Sequence, residues 1–177
     1  MNTWDKISQK IVLENEFFSV REDKVIKPNG EGGTYFVVEK QESVFVVPVN
    51  NDNEIFLIKQ FRYPTQTWSW ELPAGAIDAG ETPLEAAERE LQEETGLKAA
   101  NIEKLGSLPT GPGLSNNIGH AFVATGLTYI GNDKQEEEGI TDCKSFTIEK
   151  IKDMVKNGEM IDVPSLAFLN FVLIHQE

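Results

Sequence analysis

The segment Gly75–Leu97, GAIDAGETPLEAAERELQEETGL, constrains this chain more than any other stretch. Thr82 with Glu85 forms a capping box, Pro83 takes the first helical position and Gly96 stands where a helix stops. The spacing therefore predicts a helix over Pro83–Thr95. On that helix Glu90 and Glu94 are spaced i,i+4 and stack on one face, with Glu93 at its edge. Three carboxylates this close repel one another and loosen the helix unless positive charge sits among them. Arg89, four residues before Glu93, can pair with it as a brace rather than contact a substrate. A hard divalent cation such as Mg²⁺, which takes oxygen ligands and keeps several waters, is the counter-charge that suits the cluster. The competing reading is a solvated acidic helix face.

Composition narrows the partners. A chain of 177 residues is long enough for one domain with a sizeable core, so a single domain over 1–177 is expected. With 29 acidic against 16 basic residues the net charge is −13 and the pI is near 4.6, which argues against a nucleic-acid backbone or an anionic membrane as partner. A phosphate-bearing substrate then needs local help from metal and a few placed cations. Cys143 is a lone cysteine, and MNTWDKISQK has no apolar core of a signal peptide; both point to a reducing cytoplasm. Leu166–Ile174, interrupted by Asn170, is too short to span a bilayer. With only His120 and His175 available, a His-rich zinc or iron site is not expected.

Along the chain, Trp4–Lys27 reads as one or two strands closed by the turn Pro28-Asn29-Gly30. Tyr35–Glu39 and Val44–Val49 are β-branched and aromatic, hence strands, and Asn50–Asn53 turns into Glu54–Phe61, which predicts a hairpin. Phe61-Arg62-Tyr63-Pro64 and Trp68–Gly75 read as a polar connector into the acidic helix. Ile102–Leu108, His120–Ala124 and Lys144–Thr147 read as strands. Thr110–Asn117 is a Gly/Pro/Asn loop, and Asp133–Glu138 is an acidic loop whose default meaning is a solvated connector. Ile148–Asn157 reads as a helix with Ile151, Met154 and Val155 on one face, and Pro164–His175 as a buried helix.

The complete pattern G-x5-E-x7-R-E-U-x-E-E-x-G-U, with U aliphatic, is filled by Gly75, Glu81, Arg89, Glu90, Leu91, Glu93, Glu94, Gly96 and Leu97. From average composition a chance full match in a chain this long is on the order of one in ten million. The pattern resembles the Nudix box, the signature of the Nudix hydrolases. FRYP, then WELPAG before the box, and PG followed by HAFVATGL after it, are similar to the ADP-ribose pyrophosphatase and nucleoside diphosphate sugar branch of that family. So is Pro112, fifteen residues past Leu97.

The resemblance implies an α/β fold, an α/β/α sandwich with a mixed central sheet. It also implies a homodimer in which the N-terminal strands, about residues 1–40, help build the partner's site. Metal would be held by Glu90, Glu93 and Glu94 and by the Ala74 carbonyl. The acidic loop would supply Glu136 as base and Glu138 as a further ligand, with Arg89 and Glu93 completing the catalytic set. Arg62 would contact phosphate, Glu71 would line the site, and Pro112 and Asn117 would meet the substrate; Trp70 or Trp68 would either meet the base or fill the core. The implied reaction is hydrolysis of the diphosphate in a nucleoside diphosphate linked to a sugar, with ADP-ribose giving AMP and ribose 5-phosphate and with Mg²⁺ or Mn²⁺ as cofactor. One departure stands out: members of the ADP-ribose type often have an acidic residue after Pro-Gly, where this chain reads Ser115-Asn116-Asn117. GDP- or UDP-linked sugars therefore stay open as substrates. A non-catalytic nucleotide sensor is the alternative of another class, against which the intact carboxylate set argues.

Overall fold

The computed structural model describes residues 3–131 and 133–175, with side chains through residue 172. The chain forms two compact units, one from the N-terminal 42 residues with Pro109–Ile118, the other from Ser43–Leu108 with Gly119–Glu177.

In the first unit β1 (Asp5–Glu14), β2 (Ser19–Ile26) and β3 (Gly32–Glu39) form an antiparallel sheet in chain order. The two strands expected before Pro28-Asn29-Gly30 are both present, and Gly30, at φ 86°, closes the turn by donating to the Lys27 carbonyl at 2.8 Å. β1 is exposed along its whole length, and with Trp4 and Phe17 it leaves Ile7, Ile11, Val12 and Leu13 open to solvent. The loop after Pro109 lies along β3, with Val38 N–H on Leu114 O at 2.9 Å and Asn116 N–H on Val38 O at 3.3 Å.

The second unit is built on β4 (Ser43–Pro48), the strand most completely buried on both faces. Alternation sends Phe45 and Val47 into one core and Val44 and Val46 into another. A strand buried on both sides suits a parallel neighbour, and β4 pairs in parallel with β10 (Ile118–Thr125) and antiparallel with the short β7 (Ala74–Ala76). With β9 (Asn101–Pro109) they make a mixed sheet of order β7-β4-β10-β9. On one face α1 (Pro83–Thr95) packs Ala86, Ala87 and Leu91 on Val44, Val46, Phe122 and Ala124. On the other, α2 (Ile148–Lys156) and α3 (Val163–His175) bring Ile151, Met154, Phe168, Leu169 and Val172 against Phe45, Val47 and Ala121. The fold is thus α/β with helices on both faces of a mixed sheet.

Three expectations change. The turn Asn50–Glu54 forms, but no β4–β5 ladder follows: an isolated antiparallel bridge joins Val49, just past β4, to Ile55, and β5 (Ile55–Arg62) instead joins β12 (Ile140–Phe146) and β6 (Thr67–Glu71) in a second sheet. A doubly buried β4 takes its partners from across the chain. The stretch Trp68–Gly75 is no connector but holds β6 and β7. In α2, Ile151 and Met154 are buried while Val155 is exposed. Two short strands not anticipated, β8 (Leu97–Lys98) and β11 (Thr128–Tyr129), pair with each other.

The capping box on α1 is reciprocal: the Glu85 amide donates to Thr82 Oγ1 at 3.3 Å, and the Thr82 amide donates to Glu85 Oε2 at 2.8 Å. Thr82→Ala is expected to cost about 1 kcal/mol. Calorimetry should register this as a Tm lower by about 2–4 °C.

Candidate active site

The stripe that docks α1 on the sheet also buries two of its acids. Glu90 and Glu94 lie on the same side as Ala87 and Leu91, and are only 8% and 4% exposed. Opposite them runs β7, where the Ala74 amide donates to Glu94 Oε2 at 2.7 Å. Gly75, next in β7, faces Glu90: a Cβ there would collide with the Glu90 carboxylate. This is the physical need for glycine at the start of the box. Gly75→Ala is expected to displace Glu90 while the β4–β7 pairing holds the backbone. Turnover should drop by about 10²-fold, with an unchanged far-ultraviolet circular dichroism spectrum as the control.

Arg89 is the brace of the site. Its Nε donates to Glu81 Oε1 at 3.0 Å, its Nη2 to Glu81 Oε2 and to the Ala76 carbonyl, each at 2.9 Å. Its Nη1 reaches Glu90 Oε1 at 2.6 Å and Glu93 Oε2 at 3.4 Å. The i,i+4 pairing with Glu93 anticipated from spacing is therefore the longest of these contacts. Glu81, expected only as a pattern position, is the bidentate anchor. The bonds from Arg89 hold the Glu81 carboxyl below its ordinary range, and those from Glu81 and then Glu90 hold the guanidinium charged.

Burial pushes the Glu90 and Glu94 carboxyls upward, Glu94 strongly. Arg89 opposes this at Glu90 and the Ala74 amide opposes it at Glu94, while the nearby charge of Glu138 adds to the rise at both. Glu138 is thus a loop acid whose charge reaches both helix carboxylates, and it is exposed, as is Glu136, which accepts from the Gly139 amide through its carbonyl at 3.3 Å. Among the described residues no three His, Cys, Asp or Glu side chains converge as a ready metal site. Glu93 is turned to Arg89 and Lys134, and Glu90 to Arg89. The donor set nonetheless fits a hard divalent ion: it is oxygen only, largely withdrawn from water and rich in like charge, and such a cation relieves that repulsion.

Arg62 and Glu71 form the next feature. Glu71 is 1% exposed, and Arg62 Nε donates to its two oxygens at 3.1 and 3.0 Å, with Nη2 bonded to Oε2 as well. Burial lowers the Arg62 pKa, but the Glu71 bond and the fields of Asp162 and Glu94 more than restore it. The register pairs Ile58 with Glu71 and Gln60 with Ser69, on one face of the β5–β6 ladder; Lys59–Trp70 and Phe61–Trp68 occupy the other. Trp70, expected against a base, accordingly fills the core, 8% exposed and edge-on to Phe146 with ring centroids 4.8 Å apart. Trp68 is 45% exposed beside Phe61.

Pro112 and Asn117 belong to the first unit. Pro112 is exposed. Asn117, expected to meet the substrate, is buried, accepting from Thr110 Oγ1 at 2.5 Å and donating to the Gln41 carbonyl.

Two residues of the acidic loop were missed. The Lys134 amide donates to Glu93 O at 2.7 Å, its Nζ bonds Glu93 Oε1, and Gln135 Nε2 donates to Glu94 O at 3.0 Å. These satisfy last-turn carbonyls of α1 that the helix itself leaves open. A lone lysine within the acidic run was the signal available for Lys134.

The class that this fold and site define is met by comparison with known proteins. Residues 39–166 match the NUDIX domain and residues 4–38 the nucleoside diphosphate sugar hydrolase N-terminal domain; the chain belongs to the Nudix hydrolase family. Among its relatives, the ADP-ribose pyrophosphatase of Mycobacterium tuberculosis is 33% identical over 174 residues, covering 97% of this chain and 83% of the relative. The ADP-ribose pyrophosphatase of Bacillus subtilis is 27% identical over 176 residues, 96% of this chain and 95% of the relative. The methanol dehydrogenase activator of Bacillus methanolicus is 29% identical over 174 residues, 95% of this chain and 94% of the relative. A crystal structure of an ADP compounds hydrolase superposes with a TM-score of 0.82 at 23% identity, over 96% of this chain and 91% of that one, and so shares the fold.

Proposed function

We infer that this chain hydrolyses the diphosphate of a nucleoside diphosphate linked to a sugar, with ADP-ribose, split to AMP and ribose 5-phosphate, as the first candidate. The observation that carries this reading is the buried carboxylate pair Glu90 and Glu94, braced through Arg89 and faced by Gly75. Two relatives named ADP-ribose pyrophosphatase, each aligned over nearly this whole chain, support the substrate class. Glu90, Glu93, Glu94 and the Ala74 carbonyl would hold the metal, Mg²⁺ with Mn²⁺ as substitute, and Glu138 of the loop would be a further ligand. A divalent cation there supplies neutralisation of the diphosphate and activation of the attacking water.

The protein's own groups do the rest. Glu136 orients the water and takes its proton as the water oxygen adds to one phosphorus and the bridging P–O bond breaks, leaving two phosphomonoesters. Arg89 keeps Glu90 and Glu93 in register. Arg62, already fixed by Glu71, offers its remaining guanidinium edge to a phosphate oxygen. Pro112 and Asn117 shape the substrate loop, with Asn117 acting through loop structure.

The exposed apolar side chains of β1 are covered by a second copy of the chain, giving a homodimer. No helix among the described residues is long and apolar enough to cross a membrane. The lone Cys143 suits a reducing cytoplasm; burial pushes its thiol up to about 12.

A phosphatase-coupled assay with Mg²⁺ tests the reading, offering ADP-ribose, GDP-mannose, UDP-glucose, NADH and a diadenosine polyphosphate. Release of phosphomonoester from ADP-ribose above the others is the expected result. Preference for a GDP- or UDP-sugar would move the substrate, and binding of ADP-ribose without any turnover would replace the hydrolase with a sensor.

A further inference from the structure

Glu93 is held by two cations of very different tenure. Its Oε2 lies 3.4 Å from Arg89 Nη1, and its Oε1 accepts from Lys134 Nζ. Arg89 is committed elsewhere, to Glu81, Glu90 and the Ala76 carbonyl. The Lys134 side chain is half exposed, and an exposed ammonium–carboxylate pair is a weak tether. The loop around it does not depend on that ammonium, because the Lys134 amide and the Gln135 side chain bond Glu93 O and Glu94 O at 2.7 and 3.0 Å. The ammonium can leave Glu93 while the loop keeps its anchor on the end of α1.

We propose that Lys134 is the exchangeable counter-cation of Glu93: its ammonium and a divalent cation compete for the same carboxylate, and metal loading releases it. The proposal rests on the reading that the box carboxylates hold a divalent ion. Exchange keeps positive charge on Glu93 at every stage, so the cluster of Glu90, Glu93 and Glu94 never bears its full repulsion. The cost is a metal affinity held below what the carboxylates alone would reach. Releasing one exposed ion pair sets that cost at about three- to fivefold in the dissociation constant.

The test is isothermal titration of Mn²⁺ into chelator-stripped wild type, Lys134→Met, Lys134→Arg and Lys98→Met. Lys98 is exposed in β8 and pairs with none of Glu90, Glu93 and Glu94, whose ion partners among the described residues are Arg89 and Lys134, so its loss controls for a change of net charge alone. Thermal unfolding of each variant establishes that it is folded. Lys134→Met is expected to bind Mn²⁺ about three- to fivefold more tightly than wild type, with Lys134→Arg near wild type and Lys98→Met within about 1.5-fold of it. Unchanged or weaker binding by Lys134→Met, or an equal gain in Lys98→Met, overturns the exchange and leaves the metal reading intact. Failure of wild type to bind Mn²⁺ overturns both.

Discussion

Glu94→Gln is expected to lower turnover by at least about 10²–10⁴ and yet to unfold at the wild-type temperature or above it. The two effects have one origin. Glu94 is 4% exposed, its charge is opposed by burial and by Glu90 and Glu138, and one backbone amide, that of Ala74, supports it. A glutamine keeps an oxygen for the Ala74 amide and places its NH₂ among carboxylates that accept from it, while removing a buried charge. What is lost is the anionic donor that the metal needs. Calorimetry in chelator alongside the coupled assay reads both quantities. A variant that stays active would remove Glu94 from the metal set, and a Tm well below wild type would show that its charge is a structural requirement.

Arg62→Ala is the second large effect, of the opposite kind. Glu71 is all but inaccessible to water, and Arg62 supplies its bidentate partner. Truncation leaves a buried carboxylate unpaired, which costs about 3 kcal/mol, the low end for a broken buried pair because Arg62 itself is half open to solvent. In a chain of this size the Tm should fall by about 6–12 °C. Arg62→Met with Glu71→Leu removes both charges and should recover most of that loss without recovering activity. Recovery of turnover in the double variant would mean that the arginine serves only Glu71. Persistent instability would mean that the polar pair organises the β5–β6 ladder beyond its own bonds.

The helix of the box could be read residue by residue, because everything that defines it is local. Thr82 and Glu85 cap its start, Pro83 fits the first turn, and Gly96, at φ 70°, ends it by donating to Gln92 O at 2.8 Å. The i,i+4 stacking of Glu90 and Glu94 follows from the same geometry, so the carboxylate pair and its need for a counter-charge were legible in one dimension. Most strands were legible too, from their apolar runs.

Their partners were not. β4 joins β10 across some seventy residues of chain instead of hairpinning with β5, a choice made by burial on both faces that no local window contains. Side-chain commitments fell to the tertiary structure for the same reason. Trp70 and Glu71 are neighbours in sequence, yet the register of β6 on β5 sends one into the core and the other to Arg62. Asn117 donates to the Gln41 carbonyl from 76 residues away, and Lys134 meets Glu93 from 41 residues away. Spacing along a helix determines which side chains share a face. What a buried charge bonds to is decided only when distant segments exclude water around it, because only then does an unmet bond cost more than the entropy of meeting it.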